Sequence, residues 1–464
     1  MNLNDTIVAL STAPGAAAIA VVRLSGENAI AIAAQGFRSR FGKTLSAQKT
    51  HRVLLGDFYH NNTLLDEVLV SVFKNPNSYT GEDVVEISCH GSVFIQQQLL
   101  QSLQDLGARL AEPGEFTLRA FLNKKMDLAQ AEAVADLIAS ESEAAHHIAV
   151  QHLRGGISTS LGALRERLLE FASLIELELD FSEEDVAFAD RKQLRDLVEK
   201  IRETLKNLLD SFATGNAIKN GIPVALVGRP NAGKSSLLNA LLNEEKAIVS
   251  AIEGTTRDSI EDTLTIGGIQ YRFIDTAGLR KTDDVVEAIG VQRTQEKMET
   301  ASIILYVVDP QQQSPTETAQ ALQAISREDA TLLLVLNKKD LMDDSTLLAY
   351  QKELQILGVE KGVFAVESIS AHSKEDIERL KTHFSGQLQW NTGNALISNQ
   401  RHWAALQGAM QSINEVAQGL VENRSSDLLA IDIRQTLHEL GTITGEVTTD
   451  DILGNIFANF CIGK

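Results

Sequence analysis

Cysteine is scarce in this chain of 464 residues, which contains only Cys89 and Cys461. Two cysteines cannot build a disulfide framework, and their scarcity predicts a reducing compartment. Long hydrophobic runs are missing too, because the longest apolar stretches, such as ATLLLVL, have the length of core strands. The start, MNLNDTIVAL, lacks the basic residues of a signal peptide. We therefore expect a cytoplasmic protein without a membrane segment.

Positive charge is also in deficit, since 42 Lys and Arg residues face 62 Asp and Glu residues, for a net charge of −20. Binding along a phosphate backbone needs Lys and Arg, so this balance argues against a protein built mainly to coat nucleic acid. A local basic groove or a basic partner subunit stays possible. The acidic surface by itself indicates only solubility.

The length exceeds what one hydrophobic core supports, so two or three domains are expected. Short apolar runs between turns predict an α+β domain over residues 1–125. Helical periodicity predicts the two parts of one helical domain, residues 126–217 and 383–464. Between them, strands alternate with helices over residues 218–382, which is typical of a mainly parallel sheet. The predicted fold class is multidomain α/β, with a Ras-like domain inserted into a helical domain.

Three apolar stripes define the predicted helices, because their members recur at spacings of three and four. We expect each stripe to face a core. The stripes are Leu161, Leu164, Leu168, Phe171 and Ile175; Leu194, Leu197, Ile201, Leu205, Leu208 and Phe212; and Trp403, Leu406, Met410 and Ile413.

The strongest motif is VALVGRPNAGKSS, in which a predicted strand runs into Gly228-x-x-x-x-Gly233-Lys234-Ser235 and then into helix formers. Glycines let the loop turn its N–H groups toward phosphate oxygens, and the helix N-terminus favours negative charge. Lys234 would reach the β- and γ-phosphates, and the Ser235 hydroxyl would ligate Mg²⁺. Since the strand and helix context are both present, the motif predicts a P-loop nucleotide site.

Two motifs after the P-loop fit the phosphate and metal end of such a site. YRFIDTAG predicts a strand ending at Asp275, which would hold the Mg²⁺ shell through water, while Gly278 would donate its N–H to the γ-phosphate. EGTTRD, residues 253–258, fits the first switch, with Thr256 as a second protein ligand of Mg²⁺.

Two later motifs fit the base. In LLLVLNKKD, the carboxylate of Asp340 can accept hydrogen bonds from N1–H and the 2-amino group of guanine, and adenine offers neither donor. SISA, residues 368–371, would supply the last base-contacting loop. Together the motifs resemble the translation-factor-type GTPases over the inserted domain alone.

One position departs from the Ras pattern. Leu279 follows DTAG, where Ras-like proteins keep a glutamine that orients water. An apolar side chain cannot orient water, so hydrolysis is either very slow or uses another group. Asn231 in the P-loop favours a cation supplied from solution, and KTDDVVEAIG favours a carboxylate supplied by the stretch after DTAG.

Further motifs extend the resemblance over the whole chain: DTIVAL, VVRLSG, YTGEDVVEISCHG, EPGEFTLRAFLNKKMDLAQAEAVADLI and the terminal TGEVTTDDILGNIFANFCIGK. The sequence resembles the MnmE (TrmE) family of tRNA-modification GTPases. The resemblance implies an N-terminal domain that dimerises and binds 5-formyl- or 5,10-methylene-tetrahydrofolate. It also implies a heterotetramer with an MnmG-type flavoprotein that carries FAD and uses NADH. Such a complex adds an aminomethyl or carboxymethylaminomethyl group to the wobble uridine of certain tRNAs.

The resemblance also implies site residues. Folate contacts fall on Arg23, Glu86, Lys125 and Lys464, and K⁺ ligands on Asn231, Ser250, the backbone of Ile252 and nearby Thr255. Glu287 would be the catalytic carboxylate. From the residues alone, the competing interpretation is that it is one solvated charge beside Asp283 and Asp284. The implied GTP site comprises Asn231, Ala232, Gly233, Lys234, Ser235, Ser236, Ser250, Ala251, Ile252, Glu253, Gly254, Thr255, Thr256, Asp275, Thr276, Ala277, Gly278, Asn337, Lys338, Asp340, Ser370, Ala371 and His372.

The C-terminus raises two alternatives. The apolar face of DDILGNIFANF should pack, so that CIGK is brought to a pocket. Cys461 is then either a small buried hydrophobe or a catalytic group near the one-carbon unit or uridine C6. The stretch APGAAAIA lacks the Arg and extra Gly that the family often has before the equivalent of Arg23. Two function classes stay open: a tRNA-modifying enzyme subunit, and a regulatory GTPase of the ribosome-assembly type, which would need neither residues 1–125 nor CIGK.

Overall fold

The structure of the chain is a computed structural model, which describes residues 5–180, 191–243, 262–274, 300–327, 330–358, 365–385, 396–458 and 460–463. It groups into two compact units. The first comprises Met1–Ala139, Ala149–Leu205 and Ala404–Lys464, and the second comprises Ser140–Ile148 and Lys206–Trp403. Within the described ranges, no helix combines the length and apolar character that crossing a membrane requires. The domain limits inferred from the sequence remain predictions.

The N-terminal part of the first unit is a seven-stranded sheet in the order β3-β4-β5-β6-β2-β1-β7. Neighbouring strands are antiparallel except for β7, which runs parallel to β1. The strands are β1 (Ile7–Leu10), β2 (Ile19–Ser25), β3 (Phe37–Ser39), β4 (Arg52–His60), β5 (Thr63–Phe73), β6 (Val84–His90) and β7 (Arg109–Leu110). Helices α1 (Ala29–Gly36) and α2 (Val93–Asp105) supply side chains to the core on one face.

Side-chain alternation explains which sheet face is covered. In β5, Val68, Val70 and Val72 are buried while the intervening residues are more exposed. Because side chains alternate along a strand, the opposite face carries the other set, which includes Arg23 of β2 and its register partner Glu86 of β6. The α+β character predicted for this segment is confirmed.

The helices that follow carry the predicted stripes. They are α3 (Glu115–Leu122), α4 (Leu128–Ala139), α5 (Glu143–Leu153), α6 (Gly156–Asp180), α7 (Arg191–Asn220), α12 (Gln400–Glu422), α13 (Ser426–Thr444) and α14 (Asp450–Phe457). All five stripe residues of α6 are buried, and so are the first five of α7. Phe212 is half-buried and stacks on Trp403 with ring centroids 5.2 Å apart. The helical periodicity is therefore confirmed.

The second unit contains a six-stranded sheet in the order β13-β12-β11-β8-β10-β9. Five strands are parallel, and the edge strand β9 is antiparallel to β10. The strands are β8 (Ile222–Val227), β9 (Asp262–Ile266), β10 (Ile269–Ile274), β11 (Ile303–Val308), β12 (Thr331–Leu336) and β13 (Ala365–Ser368). The helices are α8 (Lys234–Asn243), α9 (Pro315–Ile325), α10 (Asp344–Ile356) and α11 (Lys374–Ser385). Apolar clusters lie on both faces, so the mainly parallel sheet is confirmed.

Candidate functional site

The P-loop connects the end of β8 to the start of α8 and depends on two glycines. Gly228 has φ +153°, and a Cβ there would lie 2.1 Å from the carbonyl oxygen of Val307. Gly233 has φ +93°, and a Cβ there would lie 2.1 Å from Nδ2 of Asn337. At both positions the backbone has a positive φ that residues other than glycine rarely adopt, and a neighbouring atom leaves no room for a Cβ. The loop is therefore held close to β11 and to Asn337.

Lys234 begins α8 and lies over the loop. Its Nζ donates hydrogen bonds to the carbonyl oxygens of Gly228, at 2.7 Å, and Arg229, at 2.8 Å. Burial lowers the pKa of Lys234 from its ordinary value. Ser235 is half-buried in the same first turn. A cation, a hydroxyl and a helix N-terminus thus converge where a phosphate chain would bind.

Asn337 joins three of the motifs. It is 1% exposed, its Nδ2 donates to the carbonyl of Ala232 at 2.9 Å, and its Oδ1 accepts from the backbone N–H of Ala371 at 3.2 Å. The side chain therefore fixes the P-loop relative to the last base loop. The motif predicts a base-binding loop at this position but gives no sign of this bridging role.

Asp340 lies at the surface, next to the described base loop. Lys338 has φ +61°, which starts a short 3₁₀ helix, Lys339–Leu341. The Ser370 side chain hydrogen-bonds to Asp340 and lowers the pKa of its carboxyl below the usual range. The ionised carboxylate is the form that accepts two hydrogen bonds from a base edge. Lys338 is anchored by an ion pair of 2.8 Å to Asp309.

Many of the predicted residues lie outside the described ranges. They include the switch ligand Thr256, the carboxylate Glu287 and the terminal Lys464. The others are Ser250, Ala251, Ile252, Glu253, Gly254, Thr255, Asp275, Thr276, Ala277 and Gly278. Their roles remain predictions. Of the K⁺ ligands, only Asn231 is described, and it lies exposed in the P-loop with φ +61°.

A second cluster lies on the N-terminal sheet. Arg23 donates from Nε to Oε1 of Glu86 at 2.9 Å, and its Nη2 is 2.8 Å from the same oxygen. Its guanidinium lies 5.5 Å from the ring centre of Tyr79 and 5.7 Å from that of Phe116. The pair is partly exposed, at 21% for Arg23 and 27% for Glu86, so it remains open to a ligand. The half-buried ring of Tyr79 beside this charged pair suits a flat heterocycle with polar edges, whereas Phe116 is 0% exposed and offers no face to a ligand.

Lys125 lies against the loop that supplies Tyr79. Its Nζ donates to the carbonyl of Pro76 at 3.0 Å, and its Cγ lies 3.3 Å from where a Cβ on Gly81 would be. Three of the four predicted folate residues are therefore described, and two of them are in direct contact. The motifs gave no reason to single out Tyr79 or Phe116.

The C-terminal segment docks on the strand beside Arg23. Ser11 donates to the carbonyl of Gly463 at 3.2 Å, and a Cβ on Gly463 would lie 2.3 Å from the carbonyl oxygen of Leu10. Ala9 of the same strand is the register partner of Arg23. The tail thus docks at the end of the strand that pairs with the strand of Arg23.

The segment just before this tail packs as the sequence predicted. Phe457 of α14 is 2% exposed and clusters with Leu118 and Leu128. Cys461 is exposed, so the alternative of a small buried hydrophobe is wrong. Exposure leaves its catalytic role as a prediction.

An ion network adjoins the Arg23–Glu86 cluster through α3, the helix that carries both Arg119 and Phe116. Arg119 is 1% exposed and bonds to Asp5 Oδ1 at 2.7 Å, Glu115 Oε1 at 3.0 Å and Glu82 Oε1 at 3.2 Å. Arg109 reaches Asp5 and Glu115 from the other side. Hydrogen bonds from Arg109 and then Arg119 lower the pKa of Asp5 against the effect of burial. Burial alone would raise the pKa of Glu115, but hydrogen bonds from Arg109, the Glu112 N–H and Arg119 lower it.

A parallel sheet with a glycine-bounded loop leading into α8, and with NKKD and SISA side by side, defines a P-loop protein of the guanine-nucleotide-binding class. Family models agree with the remaining motifs. The model described as MnmE helical domain matches residues 128–461, which is more than half of the chain, and the model described as GTP-binding protein TrmE N-terminus matches residues 6–125. The chain belongs to the MnmE family.

Curated relatives are similar over their whole length. The tRNA modification GTPase MnmE of Flavobacterium johnsoniae is 54% identical and covers 99% of both chains. That of Christiangramia forsetii is 53% identical and covers 100% of both. Among solved structures, Era of Aquifex aeolicus bound to GDP and AlF₄⁻ is 25% identical with a TM-score of 0.28, over 41% of this chain and 66% of that one.

Proposed function

We propose that this chain is the GTP-hydrolysing subunit of an enzyme that adds an aminomethyl or carboxymethylaminomethyl group to C5 of the wobble uridine in tRNA. One observation carries the proposal: in addition to the P-loop domain, the chain holds a second cluster around Arg23, and its own C-terminus docks at the end of β1, the strand that pairs with the strand of Arg23. A regulatory GTPase of the ribosome-assembly type has no use for that cluster. The relatives named tRNA modification GTPase support the same choice.

In the nucleotide site, the P-loop amides and Lys234 bind the phosphates, and Asp340 selects guanine. Ser235 and Thr256 are the proposed protein ligands of Mg²⁺, with Asp275 acting through water. Bound Mg²⁺ would neutralise charge on the β- and γ-phosphates. The half-buried Ser235 beside Lys234 fits this assignment.

In the second site, Arg23, Glu86, Lys125 and Lys464 would hold 5-formyl- or 5,10-methylene-tetrahydrofolate, which supplies the one-carbon unit. The charged pair lies beside the half-buried ring of Tyr79, which fits a pterin with polar edges. Cys461 is exposed on the same terminal segment, which supports a role for its thiol near the substrate.

Hydrolysis would depend on K⁺ because Leu279 cannot orient water. Asn231, Ser250, Thr255 and the backbone of Ile252 would hold this ion. Bound K⁺ would stabilise charge between the β- and γ-phosphates, and Glu287 would orient the water. The N-terminal domains would form a homodimer, and its two G domains would pair face to face, which would order the switches around the ion. A flavoprotein partner of the MnmG type would supply FAD, and the complex would work in the cytoplasm.

Deleting residues 461–464 tests the folate assignment. The deletion should abolish tetrahydrofolate binding and tRNA modification while GDP affinity stays near that of the parent. Arg23→Met should reproduce the loss of folate binding, and Arg40→Met, which changes an exposed arginine in the turn after β3, should not. Loss of GDP binding together with folate binding would mean that the terminus is merely structural.

GTP turnover in K⁺ against Na⁺ tests the hydrolysis mechanism. We expect rapid turnover only in K⁺, and a Glu287→Ala variant that binds GTP and dimerises but cleaves it far more slowly. Equal rates in both salts, or full activity without Glu287, would remove this part of the proposal.

A further inference from the structure

Asp376 is a buried carboxylate near the start of α11, in contact with the two base loops, NKKD (337–340) and SISA (368–371). It is 2% exposed, although α11 is a polar helix with exposed acidic neighbours. A buried charge is costly unless it is paired and hydrogen-bonded. The groups that hydrogen-bond to Asp376 therefore indicate its role.

The two oxygens of Asp376 divide their contacts between the two base loops. Oδ2 accepts the backbone N–H of Ser370 at 2.9 Å. Oδ1 accepts from Nζ of Lys339 at 2.5 Å and from Nη2 of Arg379 at 3.0 Å. One carboxylate thus ties the NKKD loop to the SISA loop. These two cations compensate its charge, against an unfavourable electrostatic interaction with the nearby Asp340 carboxylate.

The next contacts lead from this carboxylate to Asp340. Ser370, whose N–H is held by Asp376, hydrogen-bonds through its side chain to Asp340. Lys339, held by the other oxygen, immediately precedes Asp340, and its backbone N–H donates to the carbonyl of Ile369 at 3.1 Å. Asp340 is therefore held on both sides by groups that Asp376 fixes.

We propose that Asp376 is a positioning residue for guanine recognition, which aims the Asp340 carboxylate at both N1–H and the 2-amino group. The inference rests on the proposed guanine-binding role of Asp340. An amide cannot replace the carboxylate, because its NH₂ group would meet either the Lys339 ammonium or the Ser370 N–H, and both are donors. Asp376 itself touches no ligand in this arrangement.

Calorimetric titration of the full-length protein with GDP and IDP tests the proposal. IDP lacks the 2-amino group and can give Asp340 only one hydrogen bond. In Asp376→Asn we expect GDP affinity to fall about tenfold and IDP affinity to fall much less, so that the preference for GDP shrinks. Glu378→Gln is the matched control, since Glu378 is on the same helix, is exposed and pairs with Lys381.

Three results decide the outcome. If Asp376→Asn keeps the parent's ratio of GDP affinity to IDP affinity, the proposal is overturned. This holds whether both affinities fall equally or neither falls. If Asp376→Asn does not fold, Lys339→Met takes its place, because Lys339 is partly exposed and removing it breaks the same tie. A parent protein that does not prefer GDP to ADP and IDP would instead refute the role of Asp340.

Discussion

Replacing Arg119 with Met should loosen the N-terminal sheet and the cluster around Arg23 and Glu86. Arg119 is the central cation for three carboxylates, and Glu115 is itself 0% exposed. The affected helix α3 also carries Phe116, beside Arg23, and Thr117, whose hydroxyl is 2.8 Å from the Tyr79 hydroxyl. Removing Arg119 is therefore expected to disturb Arg23 and Tyr79 through these two buried neighbours.

The loss of stability in Arg119→Met depends on the carboxylates that stay buried without this cation. Breaking a buried ion pair by removing one partner costs about 3–5 kcal/mol, because the other charge is left uncompensated. Glu115 keeps Arg109 and the N–H of Glu112, and Nε of Arg119 lacks a hydrogen-bond partner among the described residues. Both facts favour the lower end, about 3 kcal/mol. Arg40→Met is the control, since Arg40 is 48% exposed in its pairs with Asp57 and Glu67 and should cost about 0–1 kcal/mol.

Hydrogen exchange measured by mass spectrometry is the suitable assay. The two tryptophans, Trp390 and Trp403, both belong to the second unit, so their fluorescence would not report on this sheet. Amides of β1, β2 and α3 should lose about a hundredfold in protection in Arg119→Met, while amides of β8 and β12 keep theirs. Protection in β1 and α3 equal to that of the parent or of Arg40→Met would refute the reasoning.

The same network predicts a dependence on pH. Asp5 and Glu115 have folded-state pKa values below their ordinary values of 3.8 and 4.5. A carboxylate with a lowered pKa contributes stability that is present above its unfolded-state pKa and is lost as pH falls through the folded-state value. Protection of β1 and α3 should therefore be constant near neutrality and decline as the pH falls below about 4.5. Arg119→Met should show a shallower decline.

Three further substitutions have direct expected outcomes. Gly463→Ala places a Cβ 2.3 Å from the carbonyl oxygen of Leu10, so it should displace the tail and weaken folate binding in titrations, with GDP affinity unchanged. Gly233→Ala places a Cβ 2.1 Å from Nδ2 of Asn337 and should abolish GDP binding, while folate binding is kept. Asp340→Asn should weaken GTP binding and improve binding of xanthosine triphosphate; undiminished GTP affinity would contradict the base assignment.

The sequence alone predicted those structural features whose signal comes from residues close together in the chain. An apolar run such as TLLLVL predicts a buried strand, and five of the six residues of β12 are indeed buried. Leucines at helical spacing predict one face of a helix, and Leu168 of α6 is fully buried. The P-loop belongs to this class too, because its strand, glycines and helix are consecutive.

The cluster around Arg23 could not be predicted in this way, because it depends on which strands are neighbours in the sheet and on where the C-terminus docks. Arg23 and Glu86 are 63 positions apart in the chain and meet only because β2 and β6 are neighbours in register. Ser11 and Gly463 are 452 positions apart. Without knowledge of the family, nothing in the spacing of these residues predicts that they meet, since each stretch alone is an ordinary strand or an ordinary tail.

Gly233 is required both by its own motif and by a residue far away in the chain, Asn337. The motif accounts for this glycine by the close approach of phosphate, which any P-loop would require. The structure adds a second requirement, because Asn337, 105 positions from Ala232, fills the space a side chain would need and holds the loop by its carbonyl. The phosphate loop and the base loops are thus joined by one buried amide that also binds Ala371. A substitution at Asn337 should therefore weaken phosphate and base binding together, which no reading of the separate motifs would predict.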